Sequence, residues 1–150
     1  MGYCLKNVPK FSVCRGQWTA LGNRCYLFLE GEMNWHMAKA ACKERSGYLV
    51  EVDSHDENIL LVAEKKRRNL RHLWIGLSDL DDEGVWRWSQ YRRQAVFTAF
   101  GYNKPDSDPY RETNCVALDS QHQWDDLNCY RSSTSSSSST QYHIGAICEK

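Results

Sequence analysis

The chain has 150 residues, 41% of them hydrophobic and 25% charged, enough to bury roughly 70% of its unfolded surface around one core and too apolar for a disordered or collagen-like chain. Nineteen Lys and Arg offset nineteen Asp and Glu, so the formal net charge is zero. This argues against a chain built as a whole to hold nucleic acid, and any charge-driven function must be local. No apolar run reaches membrane-spanning length, residues 1–20 lack the apolar centre of a signal peptide, and there is no N-x-S/T sequon. The chain reads as a mature form, with Met1 contributed by expression.

Seven cysteines stand at Cys4, Cys14, Cys25, Cys42, Cys115, Cys129 and Cys148, with no CxxC pair among them. Structural zinc and thioredoxin-like chemistry are thereby disfavoured, and wide spacing in a small Trp-rich chain points to disulfides, hence a secreted or surface protein. The count is odd, so one thiol is left free, capped or paired with another chain.

Residues 14–28 (CRGQWTALGNRCYLF) place a Gly-containing turn between two cysteines, with a short strand after it. From Asn34, a plausible N-cap, the period becomes helical: Trp35, Ala38, Ala41 and Cys42 recur on one face and turn Cys42 to the core. Ser54 to Glu57 form an S-x-x-E capping box ahead of Ile59, Leu60, Val62 and Ala63, predicting a second helix that stops near Asn69. The tract from Glu64 to His72 (EKKRRNLRH) is the most basic. It is a candidate polyanion patch, but cations at a helix C-terminus also complement its dipole, and that simpler role is preferred.

Beyond Leu73, short runs rich in Trp, Val and Ile alternate with loops of Asp, Gly, Pro and Asn, the pattern of strands. Residues 132–140 (SSTSSSSST) offer nothing to bury and read as a flexible exposed insertion inside the domain. Two helices followed by short strands predict an α+β domain. The five histidines show no HExxH spacing, and there is no G-x-S-x-G elbow or P-loop; no catalytic constellation is present. His122 is expected to be an exposed loop residue.

Several pieces in a fixed order resemble the C-type lectin-like domain, over roughly Cys14 to Lys150. They are CRGQWTALGNRCYLF, WIGLSD (Trp74–Asp79), VWRW (Val85–Trp88), KPD (Lys104–Asp106), NCVAL (Asn114–Leu118), WDD (Trp124–Asp126) and ICEK at the end. The resemblance implies a disulfide-stapled fold of two helices, two small antiparallel sheets and a long irregular loop region that carries the ligand site. It also implies the pairs Cys14–Cys25, Cys42–Cys148 and Cys115–Cys129, which leaves Cys4, in the N-terminal segment 1–13, for an interchain disulfide that makes a dimer. Trp18, Trp35, Trp74, Trp86 and Trp88 lie in segments that the family buries, and Trp124 braces the ion loop from below.

In sugar-binding members a calcium ion, short of oxygen ligands, is completed by sugar hydroxyls. By resemblance the principal calcium site falls on the KPD triplet, Glu112 and the WDD aspartates: Asp106, Glu112, Asp125 and Asp126. A second site falls on Asp79 and Glu83, with Ser107 or Asp108 beyond the triplet. The departure is Lys104, where sugar-binding members usually carry Glu or Gln. An ammonium has three donors and no lone pair, so it cannot ligate calcium. A donor prefers acceptors such as an acetamido carbonyl, so the expected ligands are N-acetylated amino sugars, GlcNAc or GalNAc. Lys104, Asp106, Glu112 and Asp125 form the polar contacts, and Tyr110 packs on the sugar's apolar face. A competing role for Lys104 is a loop salt bridge to Glu112 or Asp108.

The sequence thus predicts a secreted, calcium-assisted lectin that is no enzyme, cross-links glycans as a dimer and serves in innate defence by family analogy. The alternative is a lectin-like domain without sugar binding that recognises a protein, a mineral or ice.

Overall fold

The computed structural model describes residues 14–106, 112–135 and 141–150. Cys4, Ser107, Asp108 and Tyr110, and the roles expected for them, lie outside these residues.

Strands β1 (Thr19–Leu21) and β2 (Arg24–Leu29) form a hairpin turning at Gly22–Asn23, with Cys14 bonded to Cys25 at its base. Asn34 caps α1 (Trp35–Glu44), its side chain accepting from the Met37 N–H at 2.8 Å. Trp35, Ala38 and Cys42 are buried, as the helical period requires. After β3 (Tyr48–Leu49), Ser54 Oγ accepts from the Glu57 N–H at 3.1 Å to open α2 (His55–Arg67).

The buried face of α2 departs from the sequence reading. Ile59, Leu60 and Ala63 are exposed, whereas Leu61 and Lys65, one turn apart, are fully buried. The Lys65 stem packs like an aliphatic side chain while its ammonium reaches the Leu70 carbonyl at 3.2 Å and His122 Nδ1 at 3.0 Å. His122 is therefore a half-buried partner of α2 and not an open loop residue. The basic tract is spent locally: Glu64 accepts from Arg67 and Arg68, which hold its carboxyl down at about 2, and Arg68 stacks over Phe28 at 4.8 Å.

The remaining strands are β4 (His72–Asp82), β5 (Val85–Trp88), β6 (Cys115–Leu118), β7 (Trp124–Leu127), β8 (Ser133–Ser135) and β9 (Gln141–Glu149). They run in the order β1-β2-β9-β4-β6-β7, with β3 and β8 also on β9 and β5 on β4. The two small antiparallel sheets expected are thus joined, because β4 and β9 pair in parallel from His72↔Ile144 to Trp74↔Ala146. Gly145 leaves room on both sides of β9, since a Cβ there would lie 2.2 Å from the Leu29 carbonyl oxygen of β2 and 3.0 Å from Leu73 Cδ2 of β4. The Ser-rich segment also differs from expectation. Ser133–Ser135 pair with Gln141–His143, their backbone hydrogen bonds supplying what the side chains cannot.

Side-chain alternation along β4 and β9 divides the core. Leu73, Ile75, Leu77 and Ile147 pack with Leu61 of α2, Trp88 and Trp124; Trp74, Ile144, Ala146 and Cys148 pack with Trp35, Ala38 and Cys42 of α1. Cys42–Cys148 ties α1 to β9 and Cys115–Cys129 joins the start of β6 to the segment after β7, so all three implied pairs form.

One buried charge gives a pH prediction. Glu149 is 1% exposed; its Oε1 accepts from the Glu51 N–H at 2.8 Å and its Oε2 meets Arg24 at 3.4 Å. Burial pushes its pKa up to about 7, well above the ordinary carboxylate range. The folded chain therefore keeps a proton that the unfolded chain loses, and stability falls as pH rises through this window, by at most about 3 kcal/mol. Glu149→Gln keeps the acceptor and removes the charge. Thermal melts of this variant should lose that slope and end above the wild type at pH 8.

Candidate functional site

The site is assembled on Trp124. Its indole Nε1–H donates to Asn58 Oδ1 at 2.9 Å, and Phe97 and Phe100 meet its ring edge-on at 5.7 and 5.9 Å. The Gly101 N–H donates to the Trp124 carbonyl at 3.0 Å, so a buried ring and a backbone bond fix the entry to the KPD loop, as expected of a brace. Lys104 N–H then donates back to the Gly101 carbonyl at 3.0 Å, and the Lys104–Pro105 peptide is cis.

Strand β7 brings the two aspartates beneath this loop. Asp126, 2% exposed, accepts from the Asp106 N–H at 2.8 Å through Oδ1 and from Thr113 Oγ1 at 2.7 Å through Oδ2. Asp125 Oδ1 meets the Lys104 ammonium at 3.1 Å, and Asp106 Oδ2 lies 3.9 Å from the same nitrogen. Burial pulls the Lys104 pKa down, but the bond to Asp125 and the charges of Asp125, Asp106 and Asp126 outweigh it, and the ammonium is held above its ordinary value. Burial raises Asp125, and Lys104 offsets part of that rise.

The ammonium therefore stands among the carboxylates that the resemblance offers to calcium. Lys104, Asp106, Asp125 and Asp126 come together as expected, but their arrangement does not fit the ion. Asp125 already neutralises a fixed cation, both oxygens of Asp126 serve protein donors, and no three acidic, His or Cys side chains among the described residues are grouped to hold a metal. Glu112 is exposed at a left-handed turn (φ 50°), and Lys104 pairs with Asp125 rather than with it. Around Asp79 the fit is better. Its Oδ2 accepts from the Gly84 N–H at 2.9 Å, while its buried Oδ1 makes no hydrogen bond; Asp125 Oδ1 makes none either but meets the Lys104 ammonium, whereas Asp79 has no cation partner among the described residues. Burial first, then the Glu83 charge, raise its pKa. An orphaned carboxylate oxygen is a natural cation ligand.

Two residues escaped the sequence reading. Thr113 has no spacing signal that marks it as a partner of Asp126. Tyr102, 89% exposed, is an aromatic two positions before Lys104 and could have been found by asking which rings share its loop.

Residues 31–135 match the family model of the lectin C-type domain. The chain is 32% identical over 136 residues to the hepatic lectin of Gallus gallus, covering 89% of this chain and 58% of that protein. It thus spans little more than half of that relative's length. Among solved structures, the cow CD23 carbohydrate-recognition domain, crystallised in the presence of a GlcNAc2Man3 oligosaccharide, superposes with a TM-score of 0.76 at 30% identity, over 92% of this chain and 95% of that one. An SPL-1–GlcNAc complex superposes with a TM-score of 0.75 at 26% identity, over 94% and 97%. Such domains generally bind calcium, and they are generally non-enzymatic binding modules. No helix among the described residues is long and apolar enough to cross a membrane. The family match, the relatives and the three stapled pairs lead to one conclusion: this chain belongs to the C-type lectin domain family.

Proposed function

We propose that the chain is a lectin for N-acetylated amino sugars in which the Lys104 ammonium takes the place of the principal calcium. The observation that carries this reading is the Lys104 ammonium held 3.1 Å from Asp125 and 3.9 Å from Asp106. A fixed cation with spare N–H donors suits an acetamido carbonyl, whereas adjacent hydroxyls need a metal or an acceptor to hold them. Asp106 and Asp125 accept from the amide N–H and ring hydroxyls, Glu112 extends this rim, and Tyr102 or Tyr110 packs on the sugar face or the acetamido methyl. The GlcNAc complex of a neighbour at this fold supports the sugar class.

The calcium-assisted mechanism expected from the resemblance gives way here to a direct one, and calcium is assigned to Asp79, with Glu83 and Asp108, as a stabilising ion. Calcium should then raise the melting temperature of the wild type and not of Asp79→Asn. A single shallow sugar site binds weakly, so secretion of a dimer linked through Cys4 supplies avidity for cross-linking glycans, in a role suited to innate defence. Saturation-transfer NMR tests the sugar reading. GlcNAc and GalNAc should receive saturation most strongly at the acetamido methyl, and mannose little. Equal saturation of all three sugars, or none, contradicts it and favours a protein, mineral or ice ligand.

A further inference from the structure

We propose that the groove between α1 and the Ser89–Arg92 loop is a second binding site, separate from the Lys104 site, that takes a sulfated glycan. The sequence concentrates its basic residues at 64–72, but the fold spends several of them internally, as described above. The open basic surface is assembled instead from positions far apart in the chain. His36, Lys39 and Lys43 recur at i, i+3 and i+7 and so share one face of α1 over about 10 Å of helix. With Tyr48 and Ser89 they line a cavity of about 540 Å³. An adjoining cavity of about 140 Å³ shares His36, Lys39 and Ser89 and adds Arg87, Arg92 and Asp81.

Among the described residues Asp81 is the one carboxylate lining these two cavities, and Arg92 pairs with it. Lys39, Lys43 and Arg87 have no carboxylate partner among the described residues. Three cations thus face a concave surface with their charge uncompensated, the arrangement that concentrates anions. Both walls are preformed. The Tyr91 N–H donates to Glu51 Oε2 at 3.1 Å, Ser89 N–H to the Gly76 carbonyl at 2.8 Å and Arg92 N–H to the Trp88 carbonyl at 2.9 Å. The Lys39 ammonium lies 5.6 Å from the centre of the buried Trp35 ring.

The aromatic rim selects the ligand class. Tyr91, 60% exposed, packs against Tyr48 at one side, and Tyr130, 74% exposed, packs against His36 at the other. Open rings flanking a cationic floor suit pyranose rings that present sulfates, because ring C–H faces stack on tyrosine while sulfate oxygens accept from ammonium and guanidinium groups. The site is distinct from the amino-sugar site. Neither cavity is lined by Lys104, Asp106, Asp125 or Asp126.

Calorimetric titration with a heparin octasaccharide, its desulfated analogue and a polyglutamate of equal charge tests the proposal. At physiological ionic strength the sulfated octasaccharide should bind, and the other two should bind at least about tenfold more weakly. Lys39→Gln with Lys43→Gln should weaken it about tenfold and flatten its salt dependence. Lys66→Gln, in the basic tract, should leave it unchanged. Both positions in α1 are exposed, so the double variant should keep the wild-type melting temperature and its GlcNAc binding at Lys104. No binding of the sulfated octasaccharide, unchanged affinity in the double variant, or equal binding of either control ligand overturns the proposal. None of these outcomes bears on the amino-sugar site.

Discussion

Lys104→Glu is expected to weaken GlcNAc binding about 30-fold in EDTA and to make what remains depend on calcium. The wild-type ammonium does two jobs, donating to the sugar and neutralising Asp125 at 3.1 Å. Losing a charge-assisted hydrogen bond costs about 2 kcal/mol, which is the 30-fold. A carboxylate at this position would face Asp106, Asp125 and Asp126, a set that repels itself until a cation enters. Calcium would then bind where the ammonium stood, raise the melting temperature of the variant by more than it raises that of the wild type, and restore a metal-centred site. With hydroxyl recognition restored, the preference for N-acetylated over plain hexoses should disappear. Titration of GlcNAc and mannose into the variant, with calcium and with EDTA, checks each part. An unchanged preference and unchanged resistance to EDTA would show that Lys104 is only a loop cation.

Replacing Cys42 and Cys148 together by alanine should have the largest effect on stability, a loss of about 5 kcal/mol. The two are 106 residues apart, so the bond closes most of the chain and removes the most freedom from the unfolded state. It also joins the last turn of α1 to β9, the strand on which β2, β3, β4 and β8 all pair. The Cys14–Cys25 bond closes 11 residues and should contribute about 3 kcal/mol by the same reasoning. Urea unfolding of the two double variants gives the comparison. A smaller loss at Cys42–Cys148 than at Cys14–Cys25 would show that the N-terminal hairpin, and not β9, limits the fold.

The elements of this fold were legible where side-chain chemistry is local. Asn34 and Ser54 each cap their helix with a bond to the third residue on, and a cap needs nothing beyond its own turn. The pairing of β4 with β9 was not legible, because it joins residues about seventy positions apart, and Gly145 must leave room there for the Leu73 side chain as well as for the Leu29 carbonyl of β2. Lys65 misled the periodicity for a related reason. Its polar partners, Leu70 and His122, come from outside the helix and make an interior lysine tolerable.

The same division runs through the site. KPD and WDD marked Lys104, Asp106, Asp125 and Asp126 as neighbours, and the chemistry of an ammonium pointed to conflict with calcium. What spacing could not supply was the outcome of that conflict, which rests on the Lys104 ammonium reaching Asp125 while Thr113 and the Asp106 backbone occupy Asp126. The cationic groove was invisible for the opposite reason. Its residues sit at 36–43 and 87–92, and only the packing of α1 against the loop after β5 brings them together.

The most direct test is retention of the wild-type chain on immobilised GlcNAc and GalNAc in EDTA, with immobilised mannose as control. Retention on both amino sugars that survives EDTA, is released by free GlcNAc and is absent on mannose is the predicted result. Retention that disappears in EDTA and returns with calcium would contradict it and give the site back to the metal.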